Sequence, residues 1–216
     1  MNVAGILNAP IDLRVAELLA ARLCHDLIGP VAAVGNGVEL LGDDDAEFAR
    51  DAIALVGDSA RRANCRLQFY RFAYGFAGGG LTGPPPYQLA ADFLSESSLA
   101  CDYRAAARAL PSEQQKLACN MLAIAAEPLI RGGRLILDAG TDGPELEAAG
   151  TGAGLLPEIQ AALSLITPVA ELTSRTVGAY FAGVLAEKLG CRIVANDYAD
   201  GFRLVAAARD GGRAIS

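Results

Sequence analysis

The stretch ARLCHDLIGPVAAVGNGVELL, residues 21–41, contains His25, the only histidine among the 216 residues of the chain. Apolar side chains recur in it at spacings of three and four residues, the period of one face of a helix. At about 100° per residue, His25 lies about 200° from Leu23 and about 160° from Leu27. We therefore predict a long helix whose imidazole points away from the apolar stripe, into solvent. The stripe consists of Leu23, Leu27, Val31, Val34, Val38 and Leu41.

The first helix is predicted to run from about Pro10 to Leu41 and to form a hairpin with a second helix from about Glu47 to Tyr74. The acidic segment GDDD, residues 42–45, is the turn between them. Two helices of about 30 residues with one apolar stripe each cannot enclose a core, so we expect a second copy to complete a dimeric four-helix bundle. The second stripe consists of Ile53, Val56, Ala60, Ala63, Leu67, Tyr70 and Tyr74.

The segment GFAGGGLTGPPPYQ, residues 75–88, interrupts the helical pattern with glycines and prolines. We predict a helical-hairpin domain over residues 1–78, a linker over residues 79–86 and a second domain over residues 87–216. Helices mixed with short strands predict an α+β fold, in which the second domain is an α/β sandwich. One of its helices begins near Ser112, with Gln115 placed for a capping box. The predicted strands lie around residues 100–105, 134–139, 145–150, 191–197 and 202–208.

Composition excludes several classes of protein. The net charge of −7 and the lack of a basic block argue against nucleic acid as a partner. No apolar run approaches the roughly 20 residues that span a bilayer, so we expect no membrane segment. The N-terminus lacks the basic region of a signal peptide. Five cysteines without a C-x-x-C pair indicate reduced thiols and no metal site, so we expect a cytoplasmic protein.

On the helix face that carries His25, the side chains that follow the ring toward the C-terminus are unusually small and form a flat shelf. This shelf would let a bulky partner approach the imidazole, although glycine and alanine are also common throughout this chain. Asn36 on this shelf is either a docking contact or an ordinary polar residue of a helix surface. We predict a partner-binding face that consists of Arg22, Gly29, Ala32, Ala33 and Asn36.

The hexapeptide HDLIGP combines His25, the acidic Asp26 and Pro30. A proline inside a helix costs a backbone hydrogen bond, so its presence there indicates a purpose. The motif resembles the H-box of sensor histidine kinases. Nearly the whole chain resembles the ChpT-like histidine phosphotransferases of alphaproteobacteria. The resemblance is carried by CHDLIGPVAAVGNGVELL (residues 24–41), KLACNMLAIAAEPLIRGG (residues 116–133) and AYFAGVLAEKLGCRI (residues 179–193).

The resemblance implies a homodimeric bundle followed by a degenerate copy of the kinase ATP-binding domain. Positions that hold Mg²⁺ and adenine in kinases are replaced here, so we expect no useful ATP binding and no cofactor. A weak ATP-dependent kinase is the alternative. The segment GTGAGL lacks a full phosphate-loop pattern and is predicted to be a plain turn. The degenerate positions are Ile124 for the magnesium-binding asparagine, Gly150 for the adenine-binding aspartate, the retained Gly152 and Gly154, and Gly178 of the reduced lid.

The resemblance also implies a relay. A receiver domain of a CckA-like hybrid kinase would phosphorylate His25, which would pass the group to CtrA-like and CpdR-like response regulators, with Mg²⁺ in the receiver's acidic pocket. Asp26 either orients the imidazole or is only a solvated charge. Arg62 and Arg66, with the nearby Arg61, either attract the acidic receiver or are solvated surface charges. A non-catalytic dimeric interaction module is the alternative function.

Overall fold

A computed structural model describes residues 12–41, 46–75 and 83–209. Two long helices come first: α1 spans Leu13–Leu40 and α2 spans Ala46–Tyr74. They run antiparallel, since Asp26 contacts Tyr70 while Gly37 lies against Val56. Both predicted helices are confirmed. The predicted turn at residues 42–45 and half of the predicted linker, residues 79–82, lie outside the described residues.

The rest of the described chain forms a five-stranded sheet with helices on one side, which confirms the α+β fold class. The strand order is β1-β2-β3-β5-β4; β1 and β2 are parallel and the other pairs are antiparallel. The strands are β1 Leu99–Tyr103, β2 Gly133–Ala139, β3 Pro144–Ala149, β4 Cys191–Tyr198 and β5 Gly201–Ala208. The helices are α3 Pro86–Leu94, α4 Ala105–Arg108, α5 Ser112–Ala126, α6 Pro157–Leu163 and α7 Val177–Lys188, with a 3-10 turn at Val169–Glu171.

Two local predictions need correction. Pro86, placed in the linker, begins α3, because a proline in the first turn of a helix loses no intrahelical hydrogen bond. Gln115 forms no capping box. Its amide instead donates to the carbonyls of Arg108 at 3.0 Å and Leu110 at 2.7 Å, and thereby ties the short α4 to the start of α5.

One face of the sheet is buried beneath α5 and α7. Side chains alternate along each strand, so the inward-facing residues of β2, β3 and β5 are fully buried. The helix α5 lies at the centre of this core and is buried almost all round over residues 116–125. The largest inward side chains of the sheet are Leu135, Leu137, Leu146, Phe202 and Leu204.

The C-terminal end of α2 belongs to the same core as the sheet. Phe69, Phe72 and Ala73 are buried in one continuous cluster with α5. The buried amide of Asn120 on α5 donates to the carbonyl of Ala73 at 2.9 Å and to that of Lys116 at 2.9 Å. The hairpin is therefore held directly against the sheet layer by burial and by satisfied polar contacts.

Small residues form the seam between α1 and α2. Pro30 and Gly37 are the buried residues of α1, and they face the α2 side that buries Ala52 and Ser59. A Cβ added at Gly37 would lie 2.6 Å from Cγ2 of Val56, so the two backbones approach more closely than any larger residue permits.

The predicted apolar stripes therefore form only part of the seam of the hairpin: Val56 and Tyr70 contact α1, but several other stripe residues are exposed. Val31 and Val38 of α1 are 58% and 54% exposed, and Ile53 and Leu67 of α2 are 61% and 52% exposed. The prediction that the stripe of α1 faces away from His25 holds. Within one chain, the exposed residues of the two stripes form an open apolar surface, because the helices meet largely through the smaller residues beside them.

By length and composition alone, α1 is apolar enough to cross a membrane, although the apolar runs of the sequence predict no such segment. A helix that offers an apolar face to a partner passes the same test. Two arginines of α1 bond to the segment that carries the sheet, residues 86–208, here called the sheet domain. Arg14 donates to the carbonyl of Leu172 at 2.9 Å, and Arg22 contacts Glu127. These contacts favour a helix that packs against protein.

The close seam at Gly37 generates a stability prediction. We expect Gly37→Ala to lower the free energy of unfolding by about 1–2 kcal/mol, because its methyl group would overpack against the stiff side chain of Val56. The matched control is Gly57→Ala on α2, where a new Cβ meets no atom within 4 Å. Relief of glycine's entropy cost should stabilise that variant by about 0.5–1 kcal/mol. Urea denaturation measures both, and equal effects would contradict this view of the seam.

Candidate functional site

His25 lies near the middle of α1, and its side chain is 88% exposed. The helical period places the ring on the side of α1 opposite the open apolar stripe. The predicted exposure of the imidazole is confirmed. A ring in this position is accessible to a macromolecular partner.

Asp26 connects His25 to the second helix. Its Oδ1 atom lies 3.3 Å from Nδ1 of His25, and its Oδ2 atom accepts a hydrogen bond from the hydroxyl of Tyr70. Its side chain is mostly buried. Of the two alternatives for Asp26, this geometry favours contact with the imidazole over a freely solvated charge.

Tyr70, which its spacing predicts only as part of an apolar stripe, is a residue of the site. Burial raises the pKa of Tyr70 above its ordinary value, and the hydrogen bond to the Asp26 carboxylate raises it further. The phenol therefore stays protonated and acts as a donor. Its spacing fits a helical stripe, so the sequence pattern does not reveal that its hydroxyl has a polar partner.

An open cleft of about 810 Å³ lies beside the imidazole. Its walls come from α1, α2, α3, the end of α5 and the loop before α7. Charges of both signs line it, including Arg66 and Arg175 against Asp26 and Glu96. The exposed Ile130 stands on the sheet-domain side. The cleft gives an approaching partner access to both layers of the protein.

Arg22, predicted as a docking residue, has a structural role within the chain. Its guanidinium pairs with Glu127 and donates to the carbonyl of Arg175 at 3.3 Å. Burial works against the charged form, but Glu127 outweighs this effect and the net shift of the Arg22 pKa is upward. The side chain links α1 to the sheet domain, and its cation is already paired.

Gly178 at the start of α7 lies against the side chain of Arg22. A Cβ at this position would come within 3.3 Å of Nη1 of Arg22 and 3.5 Å of the Tyr74 hydroxyl. In this structure the glycine allows α7 to approach the hairpin. The resemblance to kinases instead predicts that Gly178 is the one glycine left of a reduced nucleotide lid.

The predicted shelf is largely present. Gly29, Ala32 and Asn36 are exposed beside His25, and a Cβ at Gly29 would meet no atom within 4 Å. Ala33 differs, because it is half-buried on the side turned toward α2. The open part of the shelf is thus formed by three of the four predicted small or polar residues.

Of the three arginines Arg61, Arg62 and Arg66 on α2, only Arg66 lines the cleft beside His25. Its guanidinium lies 5.8 Å from the centre of the Phe93 ring. Arg62 instead forms an ion pair with Glu96, and Arg61 pairs with Asp58 at 2.8 Å. Tyr70 is the α2 residue opposite Asp26, so Arg61 and Arg62 lie further along α2, away from the level of His25.

Of the five positions assigned to a degenerate nucleotide site, only two line a common cavity, and it is small. Ile124 and Gly154 line a cavity of about 60 Å³. Gly150 follows β3, and its amide donates to the carbonyl of Asp200 at 2.9 Å. Gly152 adopts a φ of +74°, in the left-handed region that favours glycine. The segment GTGAG is a tight turn, as predicted.

Metal-ligating side chains do not cluster in the part of the chain that the structure describes: it contains no group of three or more His, Cys, Asp or Glu side chains that would hold an ion. All five cysteines are free thiols. The candidate site therefore consists of one imidazole, its carboxylate neighbour, a tyrosine and an open cleft.

Comparison with known proteins identifies the family. The family described as "Histidine phosphotransferase C-terminal domain" matches residues 87–201. The chain is 33% identical over 188 residues to "Protein phosphotransferase ChpT" of Brucella abortus (strain 2308), which covers 84% of this chain and 89% of that protein. A solved structure of a bacterial phosphotransferase matches with 30% identity and a TM-score of 0.74, over 92% of this chain and 98% of that one. The chain therefore belongs to the histidine phosphotransferase family.

Proposed function

We propose that this protein is a phosphorelay carrier. His25 accepts a phosphoryl group from the aspartyl phosphate of a receiver domain in a hybrid histidine kinase and passes it to the receiver domains of response regulators. The observation that supports this most strongly is the exposed imidazole of His25 at the edge of an open cleft, with Asp26 beside its Nδ1 atom. Family membership supports the same chemistry.

The arrangement suits nucleophilic attack by Nε2. With its proton on Nδ1 and directed at Asp26, the neutral ring has a free electron pair on Nε2. That pair forms a bond to phosphorus, while the bond from phosphorus to the receiver's aspartate oxygen breaks and the carboxylate leaves. The ring becomes positively charged, and the Asp26 carboxylate stabilises that charge. No proton has to be removed, and the reverse sequence delivers the group onward.

The receiver supplies the remaining electrostatics. Phosphoryl transfer asks a protein mainly for positioning and charge stabilisation, and Mg²⁺ in the receiver's acidic pocket would neutralise the phosphoryl oxygens. The exposed shelf at Gly29, Ala32 and Asn36 leaves room for that pocket to reach His25. By resemblance, the donor is a CckA-like kinase and the acceptors are CtrA-like and CpdR-like regulators, all met in the cytoplasm.

The phosphoryl group comes from another protein, without ATP binding by this chain. Binding sites for small molecules usually enclose about 300–1,000 Å³. The cavity lined by Ile124 and Gly154 holds only about 60 Å³. An isoleucine also offers Mg²⁺ no oxygen ligand.

A second copy of the chain covers the open apolar stripes. Four large apolar residues of the two predicted stripes are more than half exposed, an arrangement that is costly unless a partner buries it. Pairing of two hairpins through these stripes makes a four-helix bundle. His25 lies on the other side of α1, so it stays accessible in the dimer. The four residues are Val31, Val38, Ile53 and Leu67.

Phosphotransfer from a purified, radiolabelled receiver tests the carrier function. We expect the wild type to become labelled within the assay and His25→Ala to show at least a ~100-fold loss, because no other side chain replaces the attacking nitrogen. Circular dichroism and dimer mass should be unchanged in the variant. Equal labelling of both proteins would refute the role of His25, and absence of label from both, with every receiver tried, would favour the non-catalytic module.

Calorimetric titration with Mg·ATP tests the claim about nucleotide. We expect no saturable heat up to about 1 mM ATP, because the cavity is too small for the ligand. An active histidine-kinase ATP-binding domain serves as the positive control. Saturable binding at micromolar ATP, together with autophosphorylation of His25, would support the alternative of a weak kinase.

The mass of the protein in solution tests the dimer. We expect the double variant Val31→Glu, Val38→Glu to be monomeric in light-scattering measurements, because it buries two carboxylates in an apolar interface. The matched control is Ile166→Glu, an exposed apolar position in the sheet domain, which should remain dimeric. A wild-type protein that is monomeric at all concentrations would contradict the proposal.

A further inference from the structure

We propose that Tyr70 is a positioning residue for the phosphotransfer: its hydroxyl holds the Asp26 carboxylate so that the His25 proton stays on Nδ1 and Nε2 is the phosphoryl acceptor. This inference rests on the proposed function. It assigns a role to the hydroxyl of a residue that is otherwise part of the aromatic core, and it makes α2 a contributor to the site.

The carboxylate of Asp26 is shared between two partners. One oxygen accepts from the Tyr70 hydroxyl, and the other faces Nδ1 of His25 at 3.3 Å. A carboxylate on a helix surface ordinarily samples several rotamers, and a hydrogen bond from a fixed donor selects one of them. The oxygen that remains free is then directed at the imidazole. Which ring nitrogen holds the proton is set by the hydrogen bond that the ring makes.

The donor itself is rigid. Tyr70 is only 6% exposed, and its ring contacts three aromatic neighbours. It meets Phe69 and Phe93 edge-on, with ring centres 5.9 and 5.8 Å apart, and stacks on Tyr74 at 5.7 Å. Because Phe93 lies on α3, the sheet domain helps to fix the position of the phenol. The hydroxyl therefore cannot follow a moving carboxylate, and the carboxylate must come to it.

The charges around the hydroxyl fit a donor. Asp26 is the nearest acidic group, Arg66 lies on the same helix and Tyr74 is the other titratable neighbour. Burial and the Asp26 carboxylate raise the pKa of Tyr70, so the phenol keeps its proton through the neutral range. Tyr70 therefore donates to Asp26 and takes no part in proton transfer to the substrate.

A purely structural tyrosine makes a different prediction from a positioning one. In the structural case, only the ring matters, and removal of the hydroxyl leaves the imidazole unchanged. In the positioning case, loss of the hydroxyl releases Asp26 and changes which nitrogen of His25 carries the proton. His25 is the only histidine of the chain, so its ring nitrogens give unambiguous signals.

The test compares Tyr70→Phe with Tyr74→Phe. Each variant keeps its ring and loses one hydroxyl, but only the Tyr70 hydroxyl bonds to Asp26. In long-range ¹H–¹⁵N spectra at neutral pH, we expect the wild type and Tyr74→Phe to hold the His25 proton mainly on Nδ1. We expect Tyr70→Phe to shift it toward Nε2. We also expect phosphotransfer from a labelled receiver to slow about tenfold in Tyr70→Phe but not in Tyr74→Phe, because Nε2 of His25 is then less often available as the nucleophile.

The outcomes separate this inference from the proposed function. A wild-type tautomer and rate in Tyr70→Phe would overturn it, as would equal slowing in both tyrosine variants. The tautomer is measured without any partner, so it remains informative if no receiver labels the protein. Labelling of His25→Ala would refute the carrier function, while a tautomer shift in Tyr70→Phe would still show the contact from Tyr70 through Asp26 to His25.

Discussion

The rest of the structure depends on the burial of the C-terminal end of α2 in the core of the sheet domain. Phe69, Phe72 and Ala73 lie in one cluster with α5, and the amide of Asn120 donates to the carbonyl of Ala73. Arg22 adds a paired contact from α1. These interactions set the hairpin at one orientation against the sheet. Because the hairpin is fixed in this way, a cleft stays open on the side of α1 that carries the imidazole, and the phenol that meets Asp26 is held still.

The circumference of α1 is divided into three faces with different tasks. Pro30 and Gly37 form a close seam with α2, whereas Val31 and Val38 form part of an open apolar surface. The third face carries His25 and the exposed part of its small shelf. At about 100° per residue, Gly37 and Pro30 lie about 120–140° from His25 around the helix, and Val38 and Val31 about 220–240°. A second copy on the apolar face and a receiver on the histidine face would therefore not compete for the same surface.

Much of the fold follows from the sequence, because long apolar periods and glycine or proline breaks mark the helices and strands closely. The exposure of His25 follows from the same period. The register of the hairpin does not, since the contact from Asp26 to Tyr70 joins residues that are 44 positions apart in the chain. The close seam at Gly37 does not follow from the sequence either, because a hydrophobic pattern does not identify a glycine as the point where two helices approach closely. The pairing of Arg22 with Glu127 joins residues far apart in the chain, and no local pattern encodes it.

The most direct test of the central claim is the position of the phosphorus atom after charging by a receiver. Protein labelled with ¹⁵N-histidine and phosphorylated in this way should show a single phosphorus–nitrogen coupling, assigned to Nε2 of His25. Phosphorus on Nδ1, on a carboxylate or on a hydroxyl of this chain would contradict the account.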